Sequence, residues 1–119
     1  MEEGRPLFQQ IAEQIEDSIL DGSLTAAAQA PSTNELAAFH RINPATAAKG
    51  INQLVSDGIL YKKRGIGMFV AADARRRVLE RRRESFARDF VEPLLAEARR
   101  LGLSADDVRN LIGKRGDGR

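Results

Sequence analysis

Asn43, Ala45, Thr46 and Lys49 open one helical segment, and Lys62-Lys63-Arg64-Gly65-Ile66-Gly67 follows it closely. Residues of these types suit one chemistry in particular. Amides and hydroxyls hydrogen-bond to base edges, a methyl packs on a thymine methyl, and lysine or arginine binds guanine acceptors or phosphate. Gly65 and Gly67 allow positive φ and close backbone approach, while Arg64 at the turn can enter a minor groove or grip phosphate. Ser32 and Thr33 add hydroxyls beside the free N–H groups of an earlier helix start, where phosphate is also favoured. Plainer roles compete for the same residues. Asn43 is first of all a helix cap, Thr46 can simply pack, and the basic turn can serve solubility alone. Alternation on a strand sends Lys62 and Lys63 to opposite faces, so both cannot contact one nucleic acid equally.

Catalysis finds no support. The chain has one histidine and no cysteine, and no carboxylate pair stands at a suggestive spacing. Gly65-Ile66-Gly67 lacks the third glycine and following helix of a nucleotide-binding turn. No cofactor or metal is expected. The absence of cysteine rules out disulfide and thiolate chemistry and fits a cytoplasmic protein. No apolar run is long enough to span a bilayer, so no membrane partner is expected.

Charge is distributed unevenly. The 119 residues carry a net charge of only +2. Residues 1–72 hold six Lys/Arg against eight Asp/Glu, and residues 73–119 hold thirteen against nine. Between Arg41 and Arg64, however, Arg41, Lys49, Lys62, Lys63 and Arg64 face Asp57 as the one acid. Positive charge is thus concentrated around the candidate contacts.

The elements that must position these residues are legible. Leu7, Ile11, Ile15 and Ile19 recur every four residues, predicting a helix from about 6 to 21 with Pro6 in its first turn and Gly22 at its stop. Thr25–Gln29 reads as an alanine-rich linker. Ser32 with Glu35 forms a capping box opening a second helix, in which Leu36 and Phe39 face inward. His40-Arg41-Ile42 is a tight turn. Asn43 caps a third helix with Pro44 at its first position and Ala47, Ile51, Leu54 and Val55 as its apolar stripe, ended by Gly58. Ile59–Lys63 and Met68–Ala71 read as two strands of one hairpin. The fold class is mainly α with a small β-hairpin: a winged helix-turn-helix over residues 1–72.

Residues 73–113 read as a two-helix C-terminal dimerisation segment, and 114–119 as a disordered tail. The long first helix is kinked at Pro93 and stopped by Gly102. Ser104 with Asp107 begins the second, carrying Val108, Leu111 and Ile112. The apolar positions Val78, Leu79, Phe86, Phe90 and Leu94 have little remaining chain to bury against. A second copy about a two-fold axis is the natural cover, so a homodimer is expected. Arg75–Arg77 and Arg81–Arg83 spread around the helix as a solvated face pairing with Glu80 and Glu84, with phosphate contact open to the first triplet. The segment is too short to enclose a sizeable pocket, so a small-molecule effector, whose identity stays unknown, would sit at the dimer interface.

Together these stretches resemble the GntR family of transcriptional regulators, in particular its short YtrA-like subfamily. The resemblance is carried by Pro6-Leu7-Phe8-Gln9-Gln10-Ile11, Ala30-Pro31-Ser32-Thr33-Asn34-Glu35-Leu36-Ala37, Ile42-Asn43-Pro44-Ala45-Thr46 and Asp57-Gly58-Ile59-Leu60 through Arg64-Gly65-Ile66-Gly67-Met68-Phe69-Val70. It implies a dimeric repressor of palindromic operators, often near transporter operons, with double-stranded DNA as partner. Implied DNA contacts fall on Ser32, Thr33, Asn34, Asn43, Ala45, Thr46, Lys49, Arg64, Gly65 and Gly67. Three positions depart from the family pattern. Asn34 stands where many members carry arginine, and Thr25–Gln29 lacks the usual Pro-Gly turn. Arg41 stands where glycine is common, at about 1 kcal/mol if its φ is positive. The alternative is a winged-helix module that binds protein and no DNA, which would show an exposed apolar third-helix face.

Overall fold

The computed structural model describes residues 4–117. The chain divides after Glu80 into two compact units, the second beginning at Arg81.

The first unit contains α1 (Leu7–Leu20), α2 (Thr33–His40), α3 (Pro44–Ser56), the strands β1 (Leu60–Lys63) and β2 (Gly67–Val70), and the start of α4 (Ala74–Phe86). Its core joins Ile11, Ile15 and Ile19 of α1 to Leu36 of α2, Ala47, Ile51 and Leu54 of α3, and Ile59, Leu60 and Val70 of the hairpin. Fully burying each of these side chains contributes roughly 1.5–3 kcal/mol. The strands pair antiparallel with Leu60 opposite Val70 and Lys63 opposite Gly67. The third helix approaches the first at Gly50, where a Cβ would lie 2.8 Å from the Phe8 carbonyl oxygen. Glycine is what permits that approach.

Several expectations hold locally and fail at a distance. The segment read as a free linker pairs with β2: Ala27 and Ala30 donate to the carbonyls of Val70 and Met68, and Val70 donates to Ala28. The missing Pro-Gly turn is replaced by Ala27 itself at φ 68°. Arg41 has φ 56°, so the condition for left-handed strain at this position is met. Ile42 is partly buried against the core. Phe39 is 83% exposed, against the expectation that it faces inward. Leu36 and Ala37 define the buried side of α2, and Phe39 lies some 110° around the helix from their midline. Its ring meets His40 edge-on at 4.9 Å and borders a groove of about 480 Å³ with Gln14, Ile15, Leu24, Glu35 and Leu36.

Val78, expected at the dimer face, is fully buried in the core of the first unit beside Ala74. Four-residue spacing places it under Ala74, so the start of α4 completes that core.

In the second unit a π-turn (Ala87–Val91) follows α4, and α5 (Glu92–Arg100) and α6 (Ala105–Asp117) come after it. The backbone stays helical at Phe86, Val91 and Glu92. Pro93 was expected to interrupt the helix, and the wide turn is the form the interruption takes. Proline lacks the N–H and its ring crowds the carbonyl four residues back, which one extra residue per turn relieves. Ser104 and Asp107 make a reciprocal cap at 2.8 and 3.0 Å. The helix then runs past Gly113 to Asp117, through most of the segment 114–119 that the sequence predicts to be a disordered tail. An interior glycine costs about 1 kcal/mol relative to alanine and does not by itself end a helix. Residues 118–119 of that tail lie outside the described residues. Phe86, Phe90, Leu94, Leu101, Leu111 and Ile112 are all exposed.

Candidate nucleic-acid interface

Three helix and turn starts carry the candidate contacts, and local hydrogen bonds set each of them. At α2, the Ser32 hydroxyl accepts from the Glu35 N–H at 3.0 Å and Glu35 Oε1 accepts from the Ser32 N–H at 3.0 Å. The backbone bond from Ser32, and then its hydroxyl, hold the Glu35 carboxyl below its usual range. An anion therefore already sits at this helix start and answers its positive end. Thr33 is half-buried and Asn34 exposed.

At α3, the Asn43 side-chain oxygen accepts from the Ala45 N–H at 2.8 Å. This cap commits the amide oxygen of a residue that is otherwise exposed. Ala45 is exposed and Thr46 half-buried. Ala45, Ala48, Lys49 and Asn52 share one side of α3 by helical spacing, opposite the buried Ala47, Ile51 and Leu54. That side is weakly apolar at most, with two methyl groups, an ammonium and an amide.

Lys49 is not a free extended arm. Its ammonium lies 4.2 Å from the centre of the Phe8 ring, a cation–π contact that links α3 to the start of α1. Arg5, near the same helix start, pairs with Glu13 at 2.8 Å.

At the wing, Arg64 is exposed at the tip. Gly65 has φ 78° and Gly67 φ 144°, both conformations that favour glycine. A Cβ at Gly67 would also meet Gln29 Nε2 at 2.6 Å. Gln29 uses that nitrogen to donate to the Ile66 carbonyl at 3.1 Å, bracing the tip from the segment beside β2. On one hairpin face Tyr61 and Phe69 lie 6.0 Å apart, with the Lys63 ammonium 4.3 Å over Phe69 and 5.9 Å from Tyr61.

The structure thus seats α2, α3 and the hairpin on one core, with Ser32, Thr33, Asn34, Asn43, Ala45, Thr46, Lys49, Arg64, Gly65 and Gly67 at their ends and tips. Phe8 and Gln29 are additions that the sequence reading missed. In the sequence Phe8 stands only within the Pro6–Ile11 motif of the family resemblance, and Gln29 only in the linker. Long-range partners such as these leave no local signal. The first arginine triplet is occupied: Arg76 pairs with Glu80 at 2.9 Å and Asp73 at 3.0 Å, and Arg77 pairs with Asp73 at 2.8 Å. Arg75 donates to the Leu20 carbonyl at 3.4 Å. The hydrogen bond from Arg77 is the main reason that the Asp73 carboxyl is held below its usual range. Among the described residues no cluster of His, Asp and Glu is placed to hold a metal, and no helix is long and apolar enough to cross a membrane.

Comparison with known proteins follows the same outline. The sequence profile for bacterial regulatory proteins of the gntR family matches residues 7–70. The HTH-type transcriptional repressor YtrA of Bacillus subtilis is 25% identical over 107 residues, covering 90% of this chain and 82% of its own. The structure of a GntR family transcriptional regulator from Listeria monocytogenes superposes with a TM-score of 0.76 at 26% identity, over 96% of this chain and 98% of that one. The crystal structure of AraR(DBD) in complex with operator ORR3 matches 60% of this chain and 86% of its own, with a TM-score of 0.55 and 35% identity.

Proposed function

Because this chain belongs to the gntR family of bacterial regulatory proteins and is YtrA-like within it, we propose that it acts as a repressor. It binds a palindromic operator as a homodimer, in the cytoplasm beside the chromosome it reads. Operators next to transporter genes are the natural first place to look, following the family resemblance. The observation that carries this reading is the capped start of α3, which presents Ala45 and Lys49, on the same core as a wing tipped by Arg64 and Gly65. The operator complex of AraR(DBD) lends support, since its fold is the part shared with this chain. Ser32, Thr33, Asn34, Asn43, Thr46 and Gly67 complete the proposed DNA surface. Exposed Phe86, Phe90 and Leu94, with Leu79 beside them, are the proposed apolar contacts between copies. Two copies would read half-sites one helical turn or a multiple of it apart.

Selection of bound duplexes from a random pool tests the proposal. Enrichment of a palindrome is expected. Lys49→Ala and Arg64→Ala should each weaken binding to the enriched duplex while sedimentation still reports the dimer; unchanged binding would remove these residues from the DNA surface. The second reading, a module that binds protein alone, is favoured by exposed Phe39 and the groove beside it. Failure of the pool to enrich any sequence would favour it.

A further inference from the structure

The two lysines leading into the wing are neighbours in sequence and have different surroundings. Leu60 pairs with Val70, both buried, and two residues on Lys62 pairs with Met68, which packs on the same core. Residues two apart on a strand share a face. Lys62 therefore projects on the hairpin face that looks toward α3, whose Ala47, Ile51 and Leu54 belong to that core. It is exposed, and among the described residues no acid or ring holds its ammonium. Lys63 lies on the opposite face, over Phe69 and near Tyr61.

A helix in a major groove and a hairpin in the adjoining minor groove are separated by a sugar–phosphate strand. The side chain best placed to meet that strand from the wing is one on the face toward the helix. We propose that Lys62 binds this phosphate strand between the grooves, and that Lys63, on the outer face of the hairpin, is turned away from that strand and makes no phosphate contact. A lysine ammonium suits the task, since a phosphate ridge offers charge and no planar pattern to match. The proposal rests on the DNA-binding reading above and adds a contact outside the set that the family resemblance implies.

A phosphate contact carries no sequence information, so mixed-sequence duplex DNA is a sufficient probe. Binding of the 119-residue protein is measured by fluorescence anisotropy across a salt series, for wild type, Lys62→Gln, Lys62→Arg and Lys63→Gln. Each phosphate neutralised contributes about 0.9 to the slope of log K against log salt. Lys62→Gln should lower the slope by about that amount per protomer, Lys62→Arg should restore it, and Lys63→Gln should leave it near the wild-type value. An unchanged slope in Lys62→Gln, or an equal loss in Lys63→Gln, overturns the assignment. A folding defect in Lys62→Gln would appear in its thermal melt, and Lys62→Met, which keeps the aliphatic stem without the charge, then decides: a slope lowered by the same amount supports the contact, and a wild-type slope refutes it. Wild-type protein that fails to bind duplex DNA at low salt would instead overturn the DNA-binding reading, and this contact with it.

Discussion

Replacing Gly50 by alanine separates helix propensity from packing. In an open helix the change stabilises by about 1 kcal/mol, and burying the new methyl adds roughly 0.8 kcal/mol. Here the new Cβ would sit 2.8 Å from the Phe8 carbonyl oxygen, about 0.6 Å short of the 3.4 Å of ordinary contact, with two Ile11 atoms at 3.4 Å. The obstacle is backbone inside α1 and has no rotamer to escape into. Relief requires α1 and α3 to separate, loosening a core in which Ile11 and Ile51 are almost fully buried. Overpacking of this kind costs about 1–3 kcal/mol and occasionally more. At a rigid backbone atom the upper end applies, leaving a net destabilisation of about 1 kcal/mol, or several degrees in Tm. Tyr61 is the one tyrosine in a chain without tryptophan and lies in β1, so its fluorescence follows the first unit through a urea titration. Gly113→Ala is the control: it lies inside α6, a Cβ there meets nothing within 4 Å, and the change should strengthen that helix by about 1 kcal/mol as read by circular dichroism. A Gly50→Ala protein as stable as wild type, or more so, would refute the packing argument.

Two further substitutions probe strain and capping. Arg41→Gly should raise stability by about 0.5–1 kcal/mol: it relieves roughly 1–2 kcal/mol of left-handed strain at φ 56° and returns about 0.4–1 kcal/mol through the freer unfolded chain. A urea midpoint that does not rise would mean that Arg41 makes compensating contacts. Glu35→Ala should destabilise the first unit in a pH-dependent way. The folded Glu35 carboxyl titrates below its ordinary 4.5, so its contribution is fully present above that value and fades as pH falls through the lowered one. The stability gap between wild type and Glu35→Ala should therefore narrow steadily in acid, and a gap that stays constant well below pH 4.5 would show that the charge of Glu35 is irrelevant to the cap.

What the sequence determined by itself is local. Ser32 with Glu35, Asn43 with Pro44, and Ser104 with Asp107 are helix starts whose hydrogen bonds close within three residues, so residue type and spacing suffice to read them. The left-handed Arg41 and the positive φ of Gly58 and Gly65 follow from equally short turns. Residues at such starts and tips form most of the proposed DNA surface, so residue type and spacing are enough to propose it. Tertiary structure decided what depends on partners far along the chain. It set Lys49 over Phe8 and Lys63 over Phe69, and turned Lys62 to the face toward α3. It turned Phe39 outward, drew Val78 into the core of the first unit, and paired Ala27–Ala30 with β2. Periodicity marks a residue as apolar and says which neighbours share its face. It does not say whether that face meets the chain's own core, water or another molecule, because burial depends on surfaces brought together only when the whole chain folds.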